Sequence, residues 1–361
     1  MRGMVTLQAQ LQSGHWHPSR SNCFIATSPK AREIHAPDFA DRVMHHWLVP
    51  QLEAIYEPSF IHDSYANRTD RGTHAAVRRL QQFVRQVQSG QGGGHYLQLD
   101  IHNFFNSIHR PTLWSMLKKK LIGRVPTIAL QATHALIKRS PLAQGVTYCA
   151  TDAERAKVPP HKRLENAAPG CGLPIGNLSS QFFANVYLNE LDQFIKHTLK
   201  VQRYLRYVDD FVLVHESREQ LQTWLAQIEQ FLHEKLQLKL KADIKLRPLT
   251  AGCDFLGYVI YPTHTRVRKR VVNHARAALS DWYRTFASET PDHIQVTPAA
   301  LRELQSKWAS YQGHFVHARS WRLQQQFYAR FPWLAPLTQV RRRFRYDLEA
   351  KRVGIRVPLC A

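Results

Sequence analysis

Two adjacent carboxylates, Asp209 and Asp210, stand between two short apolar runs, residues 204–208 and 211–214. Runs of that length and β-branched content predict strands, and their close succession predicts a hairpin with the acids at its tip. Val208, Phe211, Val212 and Val214 imply burial on at least one face. Two neighbouring carboxylates beside a low-dielectric core repel unless a cation lies between or beside them. An exposed Asp-Asp turn is the simple alternative, and a third acid decides against it. Asp100 ends the apolar alternation Tyr96-Leu97-Gln98-Leu99-Asp100-Ile101, a further strand, and is followed by Phe104-Phe105. Three carboxylates from two strands can hold two Mg²⁺ ions about 3.5–4 Å apart. That arrangement suits phosphoryl transfer, which asks for positioned charge and little covalent chemistry from the protein.

Composition points to the same kind of substrate. The chain has 49 Lys and Arg against 27 Asp and Glu, a net charge of +22 and a pI of about 10.1. From Thr265 onward 18 basic residues face 6 acidic ones, so a net +12 falls in the last 97 residues. Arg266, Arg268, Lys269 and Arg270 and the run Arg341, Arg342, Arg343 lie there, interleaved with Trp282, Trp308, Tyr311, Phe315, Trp321 and Phe327. Arginine pairs with phosphates and aromatic faces accept bases, which suits nucleic acid; a solvated helix face over an aromatic core and an anionic lipid surface are the alternatives. With 44% hydrophobic residues the composition is that of a folded chain of two or three domains. No run approaches the ~20 apolar residues of a membrane span. The N-terminus lacks the apolar core of a signal peptide, so a cytoplasmic location is expected and no membrane partner. Five widely spaced cysteines without a Cys-x-x-Cys pair argue against disulfides and zinc.

Residues 90–94 form a Gly-rich connector ahead of the Asp100 strand. A helix is predicted at about 110–120, a loop insertion at about 147–172, one long helix from 177 to about 199, another from 218 to 236, a strand at 254–260, and helix throughout beyond Val271.

At this point the residues resemble a known family. Tyr207-Val208-Asp209-Asp210 looks like the Y-x-D-D box of reverse transcriptases, and Leu99-Asp100-Ile101-His102-Asn103-Phe104-Phe105 resembles their first catalytic block. Ser64-Tyr65-Ala66-Asn67-Arg68-Thr69-Asp70-Arg71-Gly72-Thr73-His74 resembles the fingers motif of the bacterial and group II intron lineage, and Phe255-Leu256-Gly257 the primer grip. The four blocks stand in the family's order. The resemblance implies an α+β right-hand polymerase: an N-terminal extension and fingers at 1–94, a palm with antiparallel sheet at 95–262, and a basic helical thumb and tail at 263–361. It implies RNA-directed DNA synthesis with two Mg²⁺ ions, Mn²⁺ being a possible substitute, on a template RNA with a cDNA or primer strand and deoxynucleoside triphosphates.

Most of this lineage carries Q-G-x-x-x-S-P before the long palm helix, whereas this chain reads Ile175-Gly176-Asn177-Leu178-Ser179-Ser180-Gln181. That pattern, with Pro159-Pro160-His161-Lys162-Arg163-Leu164 and Ser310-Tyr311-Gln312-Gly313-His314-Phe315, resembles the reverse transcriptases of diversity-generating retroelements. These copy a template RNA with errors at adenines and imply a small basic accessory protein. Retron- or defence-type reverse transcriptases share the carboxylates, and a catalytically inactive basic RNA-binding protein is the rival from another class.

The resemblance assigns Asp100, Asp209, Asp210 and the backbone of Ile101 to the metals. Arg68 and Arg71 become candidates for the triphosphate, a cationic fork matching phosphate oxygens, with Arg71 favoured. Phe105 corresponds to the steric gate against a 2′-hydroxyl. Ile175, Gly176 and Gln181 lie at the nucleotide, Gly176 allowing close backbone approach. Lys245 is the general-acid candidate, with Lys241 competing. Phe255, Leu256 and Gly257 form the primer grip, and Arg266, Arg268, Lys269, Arg270, Arg341, Arg342 and Arg343 grip nucleic acid.

Overall fold

The computed structural model describes residues 2–27, 30–88, 93–138, 140–289, 294–338 and 353–355. The chain forms two compact units, Met1–Arg79 with Gly92–Arg247, and Leu80–Gln91 with Pro248–Ala361.

The first unit opens with helix α1 (Arg2–Gln12), strands β1 (Ser21–Ala26) and β2 (Arg32–Pro37), and helices α2 (Phe39–Tyr56) and α3 (Thr73–Gln88), the division passing through α3. Next come β3 (His95–Asp100), α4 (Phe104–Ser107), α5 (Arg110–Leu121), α6 (Thr127–Lys138), β4 (Val146–Tyr148) and α7 (Asp152–Ala156). The unit ends with α8 (Leu178–Gln193), β5 (Tyr204–Tyr207), β6 (Asp210–His215), α9 (Arg218–Leu236) and β7 (Lys245–Pro248).

Its central sheet has the order β5-β6-β3-β7. The strands β5–β6 and β6–β3 pair antiparallel, and Leu97, Leu99, Phe211 and Leu213 are completely buried. Helix α8 explains why the sheet is covered. Phe182, Phe183, Val186, Tyr187, Leu188 and Leu191 are buried together with the polar Ser179, Ser180, Asn185, Asn189 and Asp192, so the helix runs through the interior of the unit. It packs against α2, α5 and α9, while α9 lies on β3 and β6.

A second sheet, β2-β1-β4, contains the start of the segment expected as a loop insertion. That segment is folded. Thr151 and Glu154 close a capping box on α7, two 3₁₀ turns follow at Pro160–Lys162 and Leu164–Asn166, and the Leu164 amide donates to buried Glu33 at 2.9 Å. The Thr-x-x-Glu signal was present in the sequence but submerged in Pro and Lys.

The second unit begins with an antiparallel sheet of β8 (Cys253–Phe255), β9 (Tyr258–Ile260) and β10 (Thr265–Val267). It continues through α10 (Lys269–Phe286), β11 (Ser288–Glu289), β12 (Ile294–Val296), α11 (Pro298–Phe315), α12 (Trp321–Arg330), α13 (Leu334–Thr338) and β13 (Val353–Ile355). The expectation of helix throughout is corrected, because β11, β12 and β13 form a small antiparallel sheet. Ile294 and Val296, both buried, give a period-two signal too short to stand out among helix formers. Trp282, Trp308, Phe315 and Phe327 form this unit's core, so those aromatic faces are spent on packing, not offered to bases. No helix among the described residues is long and apolar enough to cross a membrane.

Candidate active site

The strands β5 and β6 are joined by a two-residue turn, Val208-Asp209, with Tyr207 opposite Asp210. Two-residue hairpins demand a positive φ in the turn to match the strand twist, and Val208 supplies it at φ 55°. A β-branched residue avoids that region, so the turn is strained. On the other side of β6, Asp210 is the register partner of Asp100 at the end of β3. Directly opposed residues of an antiparallel pair project on one face. The Ile101 amide donates to the Asp209 carbonyl at 3.3 Å and ties the end of β3 to the hairpin tip. The acids of both blocks therefore meet at one end of the sheet.

Each carboxylate has a different set of partners. Asp210 accepts from Gln98 Nε2 at 3.1 Å, and Asp100 Oδ2 accepts from Lys241 Nζ at 2.5 Å. The Lys241 backbone is placed for this by its own N–H, which donates to the Asp100 carbonyl at 2.8 Å. Asp100 Oδ1 is buried and meets no donor. Burial, followed by the charge of Asp100, pushes the Asp209 carboxyl up to about 6. Asp210 is pushed up to about 7, first by burial and then by Asp100 and Asp209, against the opposing effect of the Gln98 hydrogen bond. The site holds more negative charge than its surroundings compensate.

That donor set fits a hard divalent cation: all oxygen, anionic, with one buried oxygen lacking a donor. Among the described residues, however, no three His, Cys, Asp or Glu side chains are grouped as for one ion. Lys241 and Gln98 each hold one of the carboxylates by a hydrogen bond.

The other residues singled out in the sequence fall in distinct places. Phe105 is half-buried, its ring edge-on to buried Phe104 at 5.4 Å, and its carbonyl accepts from the Leu173 amide at 2.9 Å. The segment that carries Ile175 is thereby tied to the Asp100 block. Ile175 is half-buried, and its carbonyl accepts from the His35 amide at 2.7 Å. Gly176 packs closely on β2. At φ 118° a Cβ there would lie 2.9 Å from Ile34 Cγ2 and 3.0 Å from the His35 carbonyl, so the close approach is to strand β2. Gln181 sits half-buried in the first turn of α8.

Arg68 is committed within the protein. Its Nε and Nη2 bind Glu57 at 2.9 and 2.7 Å, its Nη1 takes the carbonyls of Ile61 and Ser64, and its side chain is 5% exposed. A guanidinium so committed has no fork left for a triphosphate. Arg71 is more open, with one contact to His62 at 3.2 Å and its charge 5.6 Å over the Tyr65 ring. Thr73 Oγ1 donates to Tyr207 Oη at 3.2 Å, which joins this segment to the hairpin. Of the two lysines, Lys241 touches a carboxylate, whereas Lys245 pairs with Asp243 at 3.7 Å and reaches Asp210 only through its field.

In the second unit, Leu256 and Gly257 form the turn of the β8–β9 hairpin, both at positive φ, below buried Phe255. Arg268 pairs with Asp254 at 2.9 Å, which removes it from the free charge. Arg266 lies over Tyr261, and Lys269 and Arg270 are exposed at the start of α10. Arg341, Arg342 and Arg343 lie outside the described residues.

Sequence reasoning missed Arg206 and Asp192. Both are completely buried and paired at 2.6 Å. The signal was an arginine inside an apolar strand, Tyr204-Leu205-Arg206-Tyr207, which demands a buried acid somewhere else in the chain.

The family profile for "Reverse transcriptase (RNA-dependent DNA polymerase)" matches residues 26–260. The protein YkfC of Escherichia coli (strain K12) is 23% identical over 300 residues, 73% of this chain and 71% of that protein. The group II intron-encoded protein LtrA of Lactococcus lactis subsp. cremoris is 23% identical over 336 residues, 73% of this chain. This chain spans about half of LtrA, the match covering 51% of it. An apo telomerase structure from Candida tropicalis aligns with a TM-score of 0.48 at 11% identity, over 72% of this chain and 52% of that one, a likeness too distant to bear on function.

Proposed function

The chain belongs to the reverse transcriptase (RNA-dependent DNA polymerase) family, and from that premise we propose that it copies a template RNA into cDNA at the Asp100–Asp209–Asp210 end of the sheet. The observation that carries this reading is the register pairing of Asp100 with Asp210 beside the Val208-Asp209 turn, which gathers three acids from two blocks far apart in sequence. Asp100, Asp209 and Asp210, with the Ile101 backbone, would hold the two divalent ions, Mg²⁺ or Mn²⁺. The chemistry such ions would supply there is a lower pKa for an attacking 3′-hydroxyl and positive charge opposite the leaving diphosphate. Lys241, whose Nζ donates to Asp100, would be the proton donor for the leaving group in place of Lys245, whose Nζ pairs with Asp243. Phe105 presents a half-buried aromatic surface beside the Ile175 segment, where it discriminates against a 2′-hydroxyl. Arg71 is the fingers cation for the triphosphate.

Within the family, the Ile175-Gly176 and Ser179-Ser180-Gln181 pattern supports a diversity-generating retroelement enzyme that is error-prone at template adenines. Its partners would then be the template RNA, the cDNA or primer strand, deoxynucleoside triphosphates and a small basic accessory protein. The deciding experiment is Asp209→Ala. Metal-dependent incorporation on a primed RNA template is lost while RNA binding persists; loss of RNA binding together with activity would assign Asp209 a structural role instead.

A further inference from the structure

A charged group with no solvent exposure must have every hydrogen-bonding position filled, and Arg206 does. Its Nε donates to Asp192 Oδ1 at 2.9 Å and its Nη2 to Asp192 Oδ2 at 2.6 Å, a bidentate pair. The other Nη2 hydrogen reaches Ser64 Oγ at 3.2 Å. Nη1 donates to Asn185 Oδ1 at 3.3 Å and to the Val208 carbonyl at 3.0 Å. Asp192 is itself fixed by the Tyr204 hydroxyl at 2.6 Å. The backbone of Arg206 joins the same assembly, its N–H donating to the Asp63 carbonyl and its carbonyl accepting from Tyr65 N–H, both at 2.9 Å.

One of these bonds has a particular address. Val208 is the residue at φ 55° whose turn presents Asp209, and its carbonyl is the atom that Arg206 holds. We propose that Arg206 is a positioning residue for the carboxylate hairpin: anchored by Asp192 on α8, its guanidinium grips the Val208 carbonyl and keeps the strained turn that sets Asp209 beside Asp100. The same side chain reaches Ser64 of the fingers motif, so its rigid fork joins that motif to the hairpin alongside the backbone bonds to Asp63 and Tyr65. A lysine keeps the charge opposite Asp192 but has no planar fork with which to reach Val208 and Ser64 together. The inference rests on the polymerase reading only for the kinetic part of its test.

The experiment compares Arg206→Lys with the unaltered protein by single-nucleotide incorporation and by amide hydrogen exchange. In the variant, kcat falls about tenfold or more, the value expected for one lost buried hydrogen bond, while KM for the nucleotide and RNA affinity stay within about twofold. Exchange accelerates in the peptide spanning residues 206–211 and stays unchanged in α9. Adding Val208→Gly, which accepts positive φ without strain, restores part of kcat in the Arg206→Lys background. Unchanged kcat and unchanged hairpin exchange overturn the proposal. So does a loss of kcat accompanied by uniformly faster exchange and no rescue by Val208→Gly, the signature of a merely structural residue. Should Arg206→Lys fail to fold, Asp192→Asn keeps the arginine and loosens its anchor, and the same local exchange and kcat loss are required of it. An unaltered protein without incorporation refutes the polymerase reading, and the exchange measurement still decides the positioning role.

Discussion

The ammonium of Lys241 lies 2.5 Å from one oxygen of Asp100, while the other oxygen of that carboxylate is buried without a donor. A protein cation thus neutralises one side of a site whose remaining acids repel each other. Lys241→Met removes that cation. Because the pair is partly exposed, the metal-free protein loses no more than about 1 kcal/mol. Added Mg²⁺ then raises the thermal midpoint of the variant more than that of the unaltered chain, as it relieves a larger repulsion. Equal Mg²⁺ shifts in the two proteins would remove Lys241 from the electrostatics of the site.

The raised carboxyls set a pH dependence. A group whose folded pKa exceeds its unfolded value favours the folded state below the unfolded pKa and loses that contribution as pH rises through the folded one. For Asp209 and Asp210 the loss runs from about pH 4 through 6 and 7. Protons and divalent cations compete for the same oxygens, so stabilisation by saturating Mg²⁺ is small at pH 5 and grows toward pH 8. Asp210→Asn weakens that growth and abolishes incorporation. A Mg²⁺ effect on the thermal midpoint that is flat between pH 5 and 8 would contradict the site.

How much of this was legible depends on the range of the interaction. The Asp209-Asp210 hairpin and the Asp100 strand were readable because apolar runs and the acids that end them are local patterns. The pairing of Asp100 with Asp210 needed only that two such strands be neighbours. The partners of Arg206 and Arg68 were not legible: an arginine inside an apolar strand signals a buried acid but not that it is Asp192, 14 residues away, and Arg68 looks like a substrate cation until Glu57, 11 residues away, is brought beside it. The packing of Gly176 on β2 was not legible either, since a sequence shows that a Cβ is absent but not what would have met it.

The two fingers arginines separate in one experiment. Arg68→Gln breaks a side chain that ties Glu57 to the carbonyls of Ile61 and Ser64, and it costs about 1–3 kcal/mol of stability. In the protein that remains folded, KM for the nucleotide is little changed. Arg71→Gln leaves the thermal midpoint within about 1 °C, as expected of a change of less than 0.5 kcal/mol at a surface position, and raises that KM roughly tenfold. The reverse pattern would return Arg68 to the triphosphate.

Gly176→Ala tests the packing of the Ile175 segment on β2. The new methyl would lie 2.9 Å from Ile34 Cγ2 in a backbone conformation at φ 118° that alanine rarely adopts. Overpacking with strain costs about 1–3 kcal/mol. The His35 to Ile175 hydrogen bond lengthens, and the thermal midpoint falls. An unchanged midpoint would show that β2 yields and that the glycine answers to something else.

Ile175 itself carries the fidelity argument. Its carbonyl accepts from the His35 amide, and two residues upstream the Leu173 amide donates to the Phe105 carbonyl, which ties its segment to the Asp100 block. An apolar side chain there offers no hydrogen bond to a correct base pair, and the discrimination it forgoes is a few kcal/mol at most. Ile175→Gln restores such a bond, and the expected result is a lower ratio of misincorporation to correct insertion opposite template adenine. The effect is largest at adenine, with kcat for the correct nucleotide changed less than the ratio. Single-nucleotide insertion opposite each of the four template bases measures it directly. A ratio that stays constant at adenine, or falls equally at all four bases, would detach Ile175 from base selection and with it the main sequence support for a mutagenic enzyme.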